Sequence, residues 1–448
     1  MKILDNQYIL SSILIIFTIS FTIWSNPSLK PHENGDTYGY INVAQNFSDP
    51  EANDLRSFGY PLLIKIAMLI DINNWKKIVI IIQILLHSIS IVLINRGLLN
   101  VGYHKITSVI VSLIICIHPA LLVYTNYLIA ESFLGFLLVL FWYISVKILK
   151  GKNNGNYYEI IFLGLISSFC YMVKAVWILG FLTVFIPLLI FLKKKENIFY
   201  SLILITTFHF SLPLVWEFYK TEDDNKSQMK YQSMVVNINF AAIRLGLIES
   251  GKNTKLYNKI QESGYLDEAQ KCNGNDNDDF RAVYHGINFK DRYDIDFTVK
   301  VLKNSFVPYT LGQLKNIYRF YSDRMHSPPA QEAFYPVPRS IIRFYISAFN
   351  GFYRPFLILF LIFGLFINLR KKSNRNIHIL HYGILLYFST VLTIFTIAPA
   401  HMIRMRVPLD FLLVIHSIAP ILEILVSKKL FFSAYNQVFK YFRIIRRY

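Results

Sequence analysis

The sequence predicts an all-α polytopic membrane protein of about ten transmembrane helices with a large mixed extracytoplasmic loop domain, because apolar runs of about 17 to 22 residues recur along it. Runs of this length are what a helix needs to cross a hydrocarbon layer of about 30 Å at about 1.5 Å per residue. Hydrophobic types make up 54% of the 448 residues and charged types only 17%, well below the roughly 25% of soluble domains. One aqueous core cannot bury so much apolar surface, so we expect the bilayer to be the solvent for most of the chain.

The predicted spans follow one another through short connections, except at two places where longer polar segments intervene. In chain order they are 8–24, 78–94, 106–124, 128–149, 160–173, 176–192, 198–216, 352–369, 377–398 and 407–426. The first is predicted to remain as an anchor, since Asn26-Pro27 follows it and no small-residue cleavage site is present. Lys174 separates the fifth run from the sixth, so one long or re-entrant unit is an alternative for that pair.

Lysine and arginine concentrate in alternate connections, which sets the orientation by the positive-inside rule. With a cytoplasmic N-terminus, the basic positions at 96, 105, 150, 152, 193–195, 370–375 and 428 onward all face the cytoplasm. Both termini then lie inside, and the protein is expected in the cytoplasmic (inner) membrane with its basic tail 440–447 on anionic lipid. The formal charge of +18 therefore reflects the orientation of the chain in the membrane. It does not indicate nucleic-acid binding, because no folded basic domain is predicted that would present it.

Two segments are left on the extracytoplasmic side, 25–77 and 217–350, and we expect the function to lie there. The predicted organisation is an N-terminal transmembrane module 1–216, a loop domain 217–350, C-terminal transmembrane helices 351–427 and a basic cytoplasmic tail 428–448. Cys272 is the one cysteine outside the predicted spans, so no disulfide within the outer loop is expected. The sequence has no P-loop, which argues against ATP-driven transport.

The most informative part of the first outer loop is the stretch GDTYGYINVA at 35–44, followed by RSFGYPLL at 56–63. Asp36 and Tyr40 are four residues apart, which places them on one face of a helix along the membrane surface. The structural alternative is that Asp36 or Asn34 caps the N-terminus of that helix, since both side chains accept backbone N–H bonds well.

The order is an aspartate, a tyrosine four residues later and then an Arg-x-x-Gly-Tyr-Pro-Leu turn. It resembles the first extracytoplasmic loop of C-type (GT-C) membrane glycosyltransferases, which are relatives of aminoarabinose transferases and protein O-mannosyltransferases. The stretch from His118-Pro119 to Glu131-Ser132-Phe133 resembles the family's short outer turn, with an acidic residue at the start of the next span. Residues 171–177 resemble its basic turn, and RMRVPLD at 404–410 resembles the Arg-x-Arg-x-Pro start of a late helix. The matches extend from residue 30 to residue 425, although Lys174 stands where many relatives have arginine and 217–350 carries no match.

The resemblance implies transfer of a sugar from a polyprenyl-phosphate donor to an extracytoplasmic glycan, lipid or protein acceptor. Such a site needs a carboxylate to take the proton of the acceptor and cations to stabilise the departing phosphate. We expect the catalytic base to be Asp36, with Glu131 as the second catalytic candidate. The basic residues expected to bind the donor phosphate are Lys174, Arg404 and Arg406. The residues expected to order the first loop or contact substrate are Glu33, Tyr40, Arg56 and Tyr60.

These acidic and basic residues also have structural interpretations. Glu33 is typical of a solvated loop charge, and Glu131 of an interfacial charge that reaches the lipid headgroups. Lys174, Arg404 and Arg406 suit ordinary membrane headgroups as well as a donor phosphate. A divalent metal at Asp36 is left open, and the resemblance implies no other cofactor.

Four histidines are candidate metal ligands. His118 and His401 lie at predicted outer ends of spans, whereas His87 and His416 lie within spans. No H-x-x-x-H pair on one helix face supports a bound transition metal, so these side chains are predicted to be hydrogen-bonded packing residues.

Two other functions fit the same architecture. A polysaccharide polymerase or ligase would also have many spans and a large outer loop, but is expected to rely on arginines of the outer loops. A lipid or solute transporter is expected to have a pair of Gly/Pro-broken spans in matching halves and charges in mid-span, and the sequence shows neither pattern.

Overall fold

The computed structural model describes residues 6–47, 57–150, 157–191, 195–220, 229–272, 283–284, 286–322, 362–367, 375–395 and 406–427. Regular structure within these ranges is helical, and the only β-type pairing there is a single bridge between His32 and Tyr127. The all-α prediction is therefore confirmed for the described residues, and the regular structure in the described part of 217–350, which was expected to be mixed, is helical.

Ten α-helices lie among the described residues of the first half of the chain. They are α1 Gln7–Ser25, α2 Gly35–Gln45, α3 Gly59–Ile70, α4 Trp75–Val101, α5 Lys105–Cys116, α6 Pro119–Thr125, α7 Ala130–Lys150, α8 Tyr157–Val173, α9 Phe185–Phe191 and α10 Lys195–Lys220. The second half contributes α11 Met229–Arg244, α12 Lys255–Glu262, α13 Leu266–Lys271, α14 Phe289–Arg292, α15 Ile295–Asn304, α16 Phe306–Ser322, α17 Arg375–Phe395 and α18 Asp410–Ser427.

Helix ends follow from local side-chain chemistry. The Asn6 side chain accepts the backbone N–H groups of Tyr8 and Ile9, which satisfies two of the unpaired donors at the start of α1. Gly102 ends α4 in the left-handed conformation, with φ of 98°, which glycine adopts without the steric cost of a Cβ atom.

Among the described residues, five helical segments are long and apolar enough to cross a membrane. They are Gln7–Ser25, Trp75–Val101, Ala130–Lys150, Phe199–Trp216 and Val407–Ser427. If the bent pair α5 and α6 forms one span, the number of candidate spans in the described residues rises to six. The described residues therefore support a membrane protein with several spans, and the total of about ten stays a prediction.

The third predicted span, 106–124, is broken. Helices α5 and α6 meet at His118-Pro119 with a bend of 53°. Pro119 occupies the first turn of α6, where a missing backbone N–H costs nothing, but its ring prevents α5 from continuing through it.

The sixth predicted span, 176–192, is wrong as a continuous helix. After Lys174 the chain forms two 3-10 turns, Ala175–Trp177 and Gly180–Val184, before the short helix α9. Tyr387 of α17 donates its hydroxyl to the Val176 carbonyl at 2.7 Å and accepts the Leu179 amide at 3.0 Å. Backbone groups released from helical bonding are thus satisfied by side chains, as a low-dielectric surrounding requires.

The eighth and ninth predicted spans are only partly testable. Within 352–369 the structure describes only residues 362–367, which are helical. The ninth corresponds to α17, whose apolar part, Ile377–Val391, is shorter than a full span.

The region 217–350 has a hydrophobic core of its own among its described residues. Phe240, Tyr284, Phe297 and Val301 are buried there and belong to a cluster separate from the main core. Helix α16 packs against α17, which connects this region to the membrane helices. The turn-rich stretch at 273–279 lies outside the described residues.

Candidate active site

The segment predicted to be the first outer loop is docked onto the short segment that precedes α7. The His32 amide donates to the Asn126 carbonyl at 3.0 Å, and the Leu128 amide donates back to the His32 carbonyl at 2.9 Å. The Thr37 hydroxyl, which is fully buried, donates to the Leu128 carbonyl at 3.0 Å. These bonds fix the start of α2 against the segment that leads directly into Glu131.

Asp36 lies in the first turn of α2, and it does not cap that helix. The cap is Asn34, whose side-chain oxygen accepts the amides of Asp36 and Thr37 at 3.0 and 3.2 Å. The Thr37 hydroxyl in turn accepts the Asn34 amide at 3.0 Å, which completes a reciprocal capping box. Of the two capping candidates, Asn34 is therefore confirmed. The half-buried Asp36 side chain lies at the positive end of the helix dipole, which favours its carboxylate form.

Glu33 forms an ion pair with Lys76 at 2.5 Å. Both side chains are partly exposed, at 26% and 42%, so water screens the pair and its contribution to stability is small. The ion pair connects the start of the loop to the start of α4.

Tyr40 and Tyr60 are buried and pack edge to face, with ring centroids 5.0 Å apart. The Tyr60 hydroxyl donates to Oε1 of Gln83 at 3.0 Å, and Nε2 of Gln83 donates to the carbonyls of Thr125 and Tyr127, each at 2.9 Å. Burial, together with nearby Tyr40 and Glu131, raises the pKa of Tyr60 well above its usual range, so the phenol stays a hydrogen-bond donor. These contacts give both tyrosines a loop-ordering role.

Gly59 lies where two backbones approach closely. A Cβ atom built on it would stand 2.6 Å from the Met172 carbonyl carbon and from the Val173 nitrogen, so no larger residue fits without displacing that backbone. Beside it, the Phe58 ring contacts Trp216 at a centroid distance of 5.0 Å. The turn resembling Arg-x-x-Gly-Tyr-Pro is thereby pressed against the end of α8, immediately before Lys174.

Glu131 and Lys174 form a buried ion pair. Nζ of Lys174 lies 2.7 Å from Oε1 of Glu131, whose side chain is fully buried, and the Lys174 side chain is 14% exposed. The interpretation of Glu131 as a charge that reaches the lipid headgroups is therefore wrong. The pair joins the start of α7 to the end of α8, and burial in a low-dielectric surrounding makes each charge dependent on the other.

Arg406 is held by a second carboxylate. Its Nε donates to Oδ1 of Asp410 at 3.0 Å, and both side chains are buried. Nε2 of His118 lies 3.9 Å from Oδ2 of the same carboxylate. Asp410 thus lies beside the bend between α5 and α6, at a distance from His118 that is too long for a hydrogen bond.

Arg404, Arg56 and His401 lie outside the described residues, so the structure does not place these predicted site residues.

A small cavity lies next to Glu131. It measures about 30 Å³ and is lined by side chains that include those of His87, Thr125, Glu131, Phe136 and Phe411. This is room for about one or two water molecules and not for a sugar ring.

Two residues of this site were not identified from sequence. Asp410 is four residues after Arg406, a spacing that pairs opposite charges on a helix, and this signal was available. Gln83 lies inside an apolar run, and nothing in its neighbourhood indicates that it bonds to the backbone of residues more than 40 positions away.

Comparison of the chain with protein-family models and with curated proteins found no match.

Proposed function

We propose that this protein is a membrane glycosyltransferase of the C type, which transfers a sugar from a polyprenyl-phosphate donor to an extracytoplasmic glycan, lipid or protein acceptor. The observation that supports it most is a convergence of distant segments. The docked first loop, the start of α7 and the turn after α8 meet directly, and they bring Asp36, Glu131 and Lys174 to one end of the helices. The start of the last span packs on the same helix α7, with the Pro408 Cα 3.7 Å from a Cβ built on Gly135.

The chemistry follows from these groups. The Asp36 carboxylate takes the proton of the acceptor hydroxyl while the hydroxyl oxygen forms its bond to the anomeric carbon of the sugar. The bond between that carbon and the phosphate oxygen breaks, and its electron pair leaves with the polyprenyl phosphate. Lys174, Arg404 and Arg406 stabilise the charge that develops on this phosphate. In this proposal the site faces the extracytoplasmic side of the cytoplasmic membrane, and both termini face the cytoplasm.

Glu131 has two roles in this proposal. It neutralises Lys174, which keeps the ammonium charged in a buried position. It is also the second candidate for the base, since it lies at the start of α7, beside the segment that carries Leu128.

A transporter is the second candidate, because two apolar segments among the described residues are broken. One is the bend at His118-Pro119, and the other is the run of 3-10 turns after Lys174. Discontinuous helices are common at the binding sites of transporters. A polymerase or ligase gains no specific support from the described residues.

Mass spectrometry of surface glycans and lipid-linked intermediates, with and without the protein, tests the transfer reaction directly. We expect a missing sugar together with accumulation of its polyprenyl-phosphate carrier on the extracytoplasmic side. Accumulation on the cytoplasmic side alone would indicate transport. Unchanged glycans and unchanged carrier would contradict the proposal.

We further expect donor binding to depend on Lys174, Arg404 and Arg406 as a group. Charge-assisted bonds to phosphate are worth about 1.5 to 3 kcal/mol each, so each change to alanine should raise the half-saturating donor concentration by about tenfold or more. Rates are compared per folded protein, since Lys174 and Arg406 also hold buried carboxylates.

The matched control for this series is Lys147→Ala. Lys147 is a lysine near the other end of α7, with a side chain that is 52% exposed. Its removal should leave the donor dependence unchanged. An unchanged donor dependence in all three site variants would show that the phosphate binds elsewhere.

A further inference from the structure

Three histidines meet in the interior of the C-terminal helices, away from the site described above. His378 and His381 lie on α17, and His416 lies on α18. All three are buried, with exposures of 1%, 0% and 1%. One ring nitrogen from each lies within 4.8 Å of the other two.

The three ring nitrogens are close enough to one another to reach a single metal ion. Nitrogen ligands at about 2.0 to 2.1 Å from a zinc ion stand about 3.3 Å from one another. The observed limit of 4.8 Å therefore requires only small rotations of the imidazole rings. His378 and His381 are three residues apart, which places both on the same face of α17.

The hydrogen bonding of His416 points to a ligand. Neither of its ring nitrogens has a hydrogen-bond partner among the described residues, and Nδ1 of His381 is in the same condition. Burial of an imidazole without hydrogen-bond partners costs the free energy of its lost hydration, and no new bond compensates for it. A leucine would fill the same space without that desolvation cost. Polar groups in such a position are usually explained by an ion, a ligand or water.

We infer that His378, His381 and His416 form a binding site for one first-row transition-metal ion, of which Zn²⁺ suits three imidazole ligands best. Three neutral imidazoles satisfy three positions of a zinc ion and leave the fourth for water, hydroxide or another small anion. An anion there would reduce the uncompensated charge in the apolar interior. Bound metal would fasten α17 to α18 and so stabilise the C-terminal helices. The inference does not depend on the transfer reaction proposed above.

Trp142 of α7 supplies a spectroscopic signal. Its indole N–H donates to Nε2 of His381, which places the His381 proton on Nδ1 in the metal-free protein. Coordination through Nε2 occupies the lone pair that accepts this bond, and coordination through Nδ1 moves the proton to Nε2. Either way the indole bond is released, so metal binding should change the emission of Trp142.

The test uses the full chain, purified in detergent without a histidine tag. We expect about one metal ion per chain by elemental analysis of protein prepared with Zn²⁺, and visible absorption bands of tetrahedral Co²⁺ after exchange. His416→Leu should lower the bound metal by about tenfold or more, because two imidazoles remain. Addition of a chelator should lower the Tm of the wild-type protein and leave that of His416→Leu unchanged.

The matched control is His209→Gln. His209 is a buried histidine of α10 whose two ring nitrogens contact the Ser167 hydroxyl and the Ile178 carbonyl. It lies outside the cluster and should leave the bound metal unchanged. Trp142→Phe should retain the metal and lose the emission change.

Wild-type protein that binds neither Zn²⁺ nor Co²⁺ would overturn the inference, as would His416→Leu protein that binds as much metal as wild type. The wild-type measurements decide the question even where the His416→Leu protein does not fold.

Discussion

Asp36→Asn is expected to lower the rate of sugar transfer by at least about a hundredfold, because a general base contributes about 10² to 10⁴ to the rate. The amide keeps the shape of the side chain and one accepting oxygen, but it has neither the charge nor the basicity of the carboxylate. Expression, membrane insertion and Tm should stay near those of the wild type. The measurement is the initial transfer rate at saturating donor, expressed per folded protein.

The fold makes this test cleaner than sequence alone suggested. Asn34 provides the cap of α2, so even Asp36→Ala leaves the capping bonds in place. The alanine change removes a favourable interaction with the helix dipole, typically about 0.3 to 1 kcal/mol. Asn34→Ala, by contrast, removes the cap and should cost about 1 kcal/mol of stability.

Asp71→Asn is the matched control in the same loop. The Asp71 side chain directly follows α3, where it accepts the amides of Asn73 and Asn74 and so has a structural role in that turn. The same chemical change there should leave transfer unaffected. Near-normal transfer by Asp36→Asn would exclude Asp36 as the base and make Glu131 the leading candidate.

Length and composition predicted the long spans well because nothing interrupts them. Trp75–Val101 and Ala130–Lys150, for example, are apolar over more than the thickness of a bilayer. The stretch 176–192 is equally apolar, yet it turns after Lys174. The hydroxyl that bonds to its Val176 carbonyl belongs to Tyr387, 211 residues away, and no local pattern reveals such a partner.

In the candidate site as well, local sequence predicted some features and distant contacts determined others. Motif spacing identified the charged residues, but it could not tell which of them pair. Lys174 was expected to face a phosphate, and the structure places its ammonium on Glu131, 43 residues earlier. His378 and His381 were not predicted as ligands and His416 was predicted to be a packing residue, because the sequence contains no H-x-x-x-H pair and α17 carries an i, i+3 pair that another helix completes.

Breaking the Glu131–Lys174 pair is expected to be the most destabilising single change at the site. Glu131→Leu leaves the Lys174 ammonium without its carboxylate in a largely buried position, and Lys174→Met does the reverse. Removal of one partner from a buried ion pair costs about 3 to 5 kcal/mol, measured here as a loss of Tm and of unfolding free energy in detergent. The double variant Glu131→Leu with Lys174→Met should recover most of that loss, since apolar replacements of a buried pair are often neutral.

Helices α7 and α8 provide their own control at their opposite ends. Lys147 and Glu159 join the same two helices at the same distance of 2.7 Å, but their side chains are 52% and 27% exposed. Water screens this second pair, so breaking it should cost less than about 1 kcal/mol. Equal losses from the two pairs would contradict the argument that burial makes the Glu131–Lys174 pair important.

Activity of the double variant then separates structure from chemistry. If the pair only holds α7 to α8, a double variant with restored stability transfers sugar at nearly the wild-type rate. The proposed site predicts the opposite, because the neutral pair has no ammonium for the donor phosphate: stability returns, while the half-saturating donor concentration stays raised by about tenfold or more. Restored stability together with normal donor dependence would remove both residues from the proposed site and leave Asp36, Arg404 and Arg406 to account for the reaction.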